Sequence, residues 1–305
     1  MGTVRAVLAP SCPESNRRAW ARPAAFWALA KPDVTLLVVL TTGLGYCVGS
    51  TGPLNWLALI QVVFGTLMLS AGTAAMNQYV ERGLDSQMRR TASRPLPSGI
   101  LSPREAAIFS VSFMAAGIVY LYFLVNPLAA LLGACSSITY LGLYTPLKTR
   151  TAWCTFVGAF PGAVPPLIGW AAARNSLAGP AWFLFAILFV WQFPHFLSIA
   201  WMYREDYARA GIRMLPVVDP SGRSTFRQIV GFSLVLIPAS LLPAVAGMAG
   251  ILYLFGATLL GLALLQASLF TAREQTNRAA MWLMHSTVIH IPLLLGLLVL
   301  DKLPH

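Results

Sequence analysis

The sequence predicts an all-α, polytopic membrane protein with nine transmembrane helices. Three observations lead there. The 305 residues are 57% hydrophobic and only 10% charged, whereas a soluble domain carries about 25% charge. The charges lie between long uncharged runs, over 34–80, 106–147, 151–173, 175–203, 228–272 and 279–300. In hydrocarbon every backbone amide must be paired internally, which selects helices over open sheets.

Length assigns each run, since a spanning helix needs roughly 20 apolar residues. Run 34–80 holds two helices broken at "STGP", and 106–147 holds two broken at "VNP". Runs 151–173 and 175–203 hold one each. Run 228–272 holds two broken near "GMAG", and 279–300 holds the last. Residues 1–25 are Arg-, Pro- and Ala-rich without an apolar core. They are expected to form a disordered cytoplasmic arm, with a short organellar transit segment as the alternative. Residues 26–305 then form a single transmembrane domain.

The net charge of +11 sets topology. With the N-terminus cytoplasmic, all of the 21 Lys and Arg residues except Arg174 and Lys302 fall inside, as the positive-inside rule expects. The basic excess therefore points to membrane lipid and not to a nucleic-acid partner. Cys12, Cys47, Cys135 and Cys154 show no paired metal spacing and are expected to be small buried hydrophobes.

Every acid but Asp301 also falls inside, and the two longest loops are both on that face. The first begins "MNQYVERGLDSQMRRTASRPLPSG". Asn77, Glu81 and Asp85 recur every fourth residue, so on a helix they share one face. They descend about 12 Å from the membrane edge into the loop. An oxygen column of this kind suits a hard cation, and Mg²⁺ favours one or two carboxylates with waters and substrate phosphates. Arg89, Arg90 and Arg94 follow with planar forks for phosphate oxygens. A metal-held diphosphate at the membrane surface is the expectation. The alternative is that the acids simply pair with Arg82 or Arg89.

The second loop, "WMYREDYARAGIRMLPVVD", repeats the pattern with Glu205, Asp206 and Arg213. Asp85 to Pro95 and Asp206 to Pro216 are both ten residues. A parallel internal repeat with a site between its halves accounts for the likeness; chance is the alternative. His195 lies in an apolar helix eleven residues before Asp206. A membrane histidine either bonds a neighbouring helix or marks function, imidazole being a common heme ligand. His285 and His290 point apart on their helix and are not expected to share a ligand.

The first loop resembles the first signature of the intramembrane prenyltransferases of the UbiA superfamily. "AKPDVT", "YTPLKTRT", "GAVPPLIGW" and "WQFPHFLSIAWMYREDYARAGIRMLPVV" narrow the resemblance to the members that farnesylate heme. It covers about residues 28–300. It implies a UbiA-type fold, nine helices around a central cavity, in a bacterial inner membrane or, second, a mitochondrial one. It implies Mg²⁺-dependent transfer of farnesyl from farnesyl diphosphate to a vinyl group of heme B, giving heme O, with a downstream heme A synthase as partner. By position, Asn77, Glu81, Asp85 and Asp206 become the catalytic and metal-binding group. Arg89, Arg94, Lys148 and Arg150 become diphosphate binders, and His195 faces heme. Tyr79, Tyr140, Tyr144, Trp191 and Phe193 are aromatic candidates to shield an allylic cation.

Three departures stand out. Glu81 replaces a frequent aspartate, Ala210 removes the second aspartate from the second loop, and Asp33 stands where a basic or small residue is expected. Prenylation of an aromatic quinone precursor is the alternative chemistry. A cation-coupled transporter is the alternative class, although transporters place their sites near the midplane.

Overall fold

The computed structural model describes residues 14–303. A first helix, α1 (Glu14–Leu29), precedes the membrane domain. The spans are α2 (Pro32–Gly49), α3 (Trp56–Asp85), α4 (Pro103–Leu124), α5 (Pro127–Leu147) and α6 (Cys154–Arg174). They continue with α7 (Ala181–Met202), α8 (Arg223–Val245), α9 (Ile251–Glu274) and α10 (Asn277–Leu300). Nine helices long and apolar enough to cross a membrane thus occur among the described residues. Within the arm read as residues 1–25, the described part is helical from Glu14 onward, in keeping with Ala and Arg as strong helix formers. Its first thirteen residues lie outside the described part.

The ends follow from local chemistry. Ser102 and Glu105 form a reciprocal capping box on α4. Asn55, Asn126 and Thr276 cap α3, α5 and α10 through their side-chain oxygens. Gln78 of α3 donates to the Ala28 and Leu29 carbonyls, satisfying the end of α1. That bond anchors the turn in which Lys31 takes a left-handed φ of 48° before Pro32 opens α2.

Two helices are irregular where they meet the cavity. The α5 backbone passes through a π-helical turn at Thr139–Tyr144, a device common at functional sites. The α6 helix breaks at Val164 before Pro165 and Pro166 because proline removes a backbone donor.

The helices form a closed ring. Each long helix packs on its neighbour, and α10 returns to α2. The closest crossing is α2 on the second half of α6. A Cβ on Gly45 would strike the Pro166 backbone, and one on Gly169 would strike Thr42. Small residues permit such approach when no hydrophobic force draws helices together in lipid. One core cluster gathers Trp170, Trp191, Phe193 and Tyr253 among α6 to α10, and a second gathers Tyr46, Leu69, Leu121 and Ile168 among α2 to α6. Outward-facing Phe64, Phe123, Ile138 and Leu259 remain exposed, as a lipid-facing surface requires.

Candidate functional site

A cavity of about 300 Å³ opens between α2, α3, α5, α6 and α7, toward the end that carries the two long loops. Lys31, Arg90, Tyr140, Tyr144 and Tyr207 contribute its polar edge, while Val34, Leu69, Pro165 and Phe196 line the apolar part.

The column on α3 exists as its spacing predicts. Asn77, Glu81 and Asp85 are all buried, at 0%, 7% and 1% exposure. Burial of two carboxylates demands partners. Lys148 Nζ donates to Glu81 Oε1 at 2.7 Å. One Arg94 Nη1 donates to both Asp85 oxygens at 2.8 Å. Lys31 Nζ donates to Asn77 Oδ1 at 2.7 Å, and Asn77 Nδ2 donates to Thr145 Oγ1 at 3.2 Å. Three cations from three separate segments therefore each hold one member of the column. The pairing of the acids with Arg82 or Arg89 is not what forms: Arg82 bonds the Tyr79 carbonyl instead.

Burial drives Lys31 down to about 7, and the nearby charges of Arg94 and Lys148 push the same way. Lys148 behaves oppositely. Burial lowers its pKa, but Tyr144 and Glu81 outweigh that and hold it well above the ordinary value. Lys148 also stands 4.6 Å from the centre of the Tyr144 ring. The π-helical turn thus joins the aromatic wall to the charged end.

Asp206 is placed elsewhere. It accepts from the Arg90 backbone N–H at 3.1 Å and from Arg209 Nη1 at 2.9 Å. Its own burial raises its pKa, but the backbone donors of Arg90 and Arg89 and the Arg209 side chain bring it below the usual value. The carboxylate clamps the first loop to the second, and Arg213 N donates to the Lys148 carbonyl at 2.7 Å beside it. The two similar loops therefore meet. Among the described residues, however, no group of three or more His, Cys, Asp or Glu side chains is placed to hold a metal. The structure does not bring Asp206 into the column.

Donor chemistry still fits Mg²⁺. The column offers one amide oxygen and two carboxylates, all hard ligands, and this ion ordinarily completes its shell with waters and substrate phosphate. Of the expected anion binders, Lys148 and Arg94 reach the column. Arg89 lines a shallow surface pocket with Arg90, Tyr203 and Asp206. Arg150 is exposed, and its carbonyl accepts from Arg213 at 3.4 Å; the structure does not bring it to the cavity.

His195 is not on the cavity wall, where α7 places Gln192, Phe196 and Ile199. Its Nδ1 lies 2.8 Å from Thr287 Oγ1, and that hydroxyl donates to the Met284 carbonyl. Trp191 stacks on the imidazole and bonds the Thr287 carbonyl. The structure places His195 in a hydrogen bond across the α7–α10 interface. Of the aromatic candidates, Tyr140 and Tyr144 line the cavity; Tyr79, Trp191 and Phe193 do not.

The residue that sequence reasoning missed is Lys31. Its signal was present in "AKPDVT", two residues before the unexplained Asp33. Asp33 sits exposed in the first turn of α2, where a carboxylate complements the helix dipole.

A helical membrane bundle with an apolar cavity, lined at one end by the Lys31 that bonds the buried column on α3, defines the class: a polytopic intramembrane protein. The match to the UbiA prenyltransferase family runs over residues 38–289. The chain is 52% identical over 283 residues to the protoheme IX farnesyltransferase of Solibacter usitatus, covering 90% of this chain and 97% of that one. It is 42% identical over 273 residues to that of Salinibacter ruber, covering 90% and 96%. Its fold is similar to that of a digeranylgeranylglyceryl phosphate synthase, with TM-score 0.75 and 18% identity over 92% and 98% of the chains. A UbiA homolog from Archaeoglobus fulgidus bound to GPP and Mg²⁺ superposes at TM-score 0.64 and 14% identity, over 90% and 99%. The chain belongs to the UbiA prenyltransferase family and, within it, to the protoheme IX farnesyltransferases.

Proposed function

We propose that this enzyme transfers the farnesyl group of farnesyl diphosphate to a vinyl carbon of heme B, giving heme O. The single observation that carries the proposal is the buried Asn77–Glu81–Asp85 column, clasped by three cations of which one, Lys31, lines the apolar cavity. The column and its cations suit a diphosphate head, and the cavity suits a prenyl tail. The heme acceptor rests on the names of the relatives that share most of this sequence.

The chain's own groups account for the steps. Lys31, Lys148 and Arg94 take the negative charge that builds on the departing diphosphate, the kind of preorganised electrostatic term that dominates such catalysis. Mg²⁺ held by Asn77, Glu81 and Asp85 would add Lewis-acid neutralisation of the same charge. Tyr140 and Tyr144 present aromatic faces to the allylic cation, in a cavity whose apolar wall keeps bulk water away. The vinyl carbon of heme attacks, and one water adds to the resulting cation and releases a proton to the departed diphosphate, giving the hydroxyethylfarnesyl side chain. No strong base is required. Asp206 acts as a positioning residue here, fixing the loop that carries Arg90 and Arg94. The site end would face the cytoplasm of a bacterial inner membrane, in line with the distribution of basic residues.

Purified protein is incubated with heme B, farnesyl diphosphate and Mg²⁺, with an aromatic quinone precursor as competitor, and the porphyrin mass is read. A porphyrin heavier by farnesyl plus hydroxyl is expected. Prenylation of the aromatic ring alone would overturn the proposal.

A further inference from the structure

We propose, on the basis of the farnesyl transfer described above, that Gln192 of α7 holds the one water the reaction consumes. Its side-chain oxygen then decides between a hydroxylated and an unhydrated product. A cavity that keeps bulk water away must still deliver a single molecule to the cation left on the porphyrin side chain.

Gln192 is buried, at 2% exposure, yet lines the cavity. Its Nε2 donates to the Ala159 carbonyl at 3.0 Å and to the Leu188 carbonyl at 3.1 Å. Both amide hydrogens are thereby used, and two carbonyl partners settle which end of the amide is nitrogen. Oε1 is turned toward Gly162, which also lines the cavity: a Cβ there would strike it. No donor among the described residues reaches this oxygen, although a buried acceptor without a donor is costly. Gly162 adds a second acceptor. In a continuous helix its carbonyl would take the N–H of residue 166, and Pro166 has none. From α5, Ser136 Oγ donates to the Pro161 carbonyl at 3.0 Å and keeps its own capacity to accept. Acceptors grouped on one stretch of wall select a small donor, and a buried water is held by roughly two to four polar partners.

The depth suits the reacting centre. Lys148, which bonds Glu81, stands over the Tyr144 ring, and a Cβ on Gly158 would strike that ring. Gly162 lies one turn further along α6, about 6 Å from Gly158. A cation formed against the Tyr144 face is therefore within reach of a water held at Gln192. A lone pair of that water forms the C–O bond to the cationic carbon, and the surplus proton leaves for the departed diphosphate. An amide oxygen is no base, so Gln192 aims the water and stabilises the charge that develops on its hydrogens. Without the water the cation sheds a carbon-bound proton instead, giving an alkene lighter by one water. A merely structural Gln192 would alter total turnover and leave the ratio of the two products as it was.

The full chain in detergent is incubated with heme B, farnesyl diphosphate and Mg²⁺ in oxygen-18-labelled water, and porphyrins extracted at neutral pH are resolved by mass. Wild type is expected to give a labelled hydroxylated porphyrin. Gln192→Met keeps the bulk and loses the oxygen, and its ratio of hydroxylated to unhydrated product should fall about tenfold, the size of one hydrogen bond. Gln192→Glu, whose carboxyl stays protonated in apolar surroundings, keeps an acceptor and one donor and should restore the ratio toward wild type. Gly162→Ala displaces Oε1 with Gln192 in place; it should also lower the ratio, and it replaces Gln192→Met if that variant does not fold. An unchanged ratio or loss of both products in folded Gln192→Met would overturn the assignment, as would an equal fall in Gln192→Glu. Farnesylated wild-type product without label would overturn the water step. Wild type that yields no farnesylated porphyrin would instead sink the proposed function itself.

Discussion

The two ends of the bundle use charge in different ways. At the site end, Glu81 and Asp85 are paired with side chains from other segments, beside a cavity. At the opposite end, Arg174 Nε donates to the Gly49 carbonyl at 2.6 Å, and Lys302 Nζ to the Cys47 carbonyl at 3.0 Å. Both complement the C-terminus of α2, where helix carbonyls lack internal partners. Asp301 accepts from Tyr253 N at 2.7 Å and so caps α9. The last residues pair with the α8–α9 turn through an Ala249–Lys302 bridge, and the Lys302 side chain ties the final helix to the first span. A charge bonded to backbone is fixed by the helix it caps. A charge bonded to a side chain is held by that one partner and not by a helix end.

The sharpest way to break this contrast is at Asp85. Asp85→Asn keeps the shape but removes the charge that Arg94 holds. Turnover is expected to fall by about 10²–10³, the loss typical of removing one preorganised electrostatic group. Thermal unfolding should still show a folded protein. Chelation of divalent metal should lower wild-type turnover comparably, and Glu81→Asp should be milder because only reach changes. Normal turnover by folded Asp85→Asn would remove the column from catalysis.

Much of this was legible. The nine spans follow from the exclusion of charge from lipid, and the column follows from helical periodicity within one segment. The clasp was not legible because it is long-range: Lys31 is 46 residues from Asn77, and Lys148 is 67 from Glu81. Asp206 and the Arg90 N–H are 116 apart, so a clamp between loops read as a second metal motif. The helix at 14–29 was hidden by its lack of an apolar run and by Pro23, which is accommodated within it. His195 left two readings open because residue type and neighbourhood do not fix orientation, which the contact with Thr287 of α10 sets in this structure.

Lys31 allows the contrast to be followed by pH. Burial places its pKa near 7, so the ammonium is charged below that pH and neutral above it. Between about 7 and the ordinary lysine value the unfolded chain binds more protons, so this group's burial penalty is greatest at low pH and eases as pH rises. Function runs the other way. Affinity for inorganic diphosphate should fall several-fold as pH rises through about 7, a step absent from Lys31→Arg, whose guanidinium stays charged. Identical profiles in the two proteins would show that Lys31 does not meet the anion.

At the opposite end, Asp301→Ala deletes a cap and should lower stability by about 1 kcal/mol, read as a fall in Tm. Turnover per folded molecule should not change. A loss of turnover without loss of Tm would mean that the two ends are coupled and that backbone-bound charge is not merely structural.

The smallest effect is expected at His195, which sits between the two ends. Thr287 Oγ1 donates to Met284 O, so its remaining capacity is to accept, and His195 Nδ1 carries the proton that it accepts. The bond holds α7 against α10 and leaves the cavity wall to Gln192 and Phe196. His195→Ala is therefore expected to cost about 1 kcal/mol of stability, the worth of one hydrogen bond. The absorption spectrum of added heme and its affinity should stay as in wild type, because the imidazole does not face the cavity. A shifted Soret band or weakened heme binding in the folded variant would return His195 to the iron, and would require heme to enter between α7 and α10.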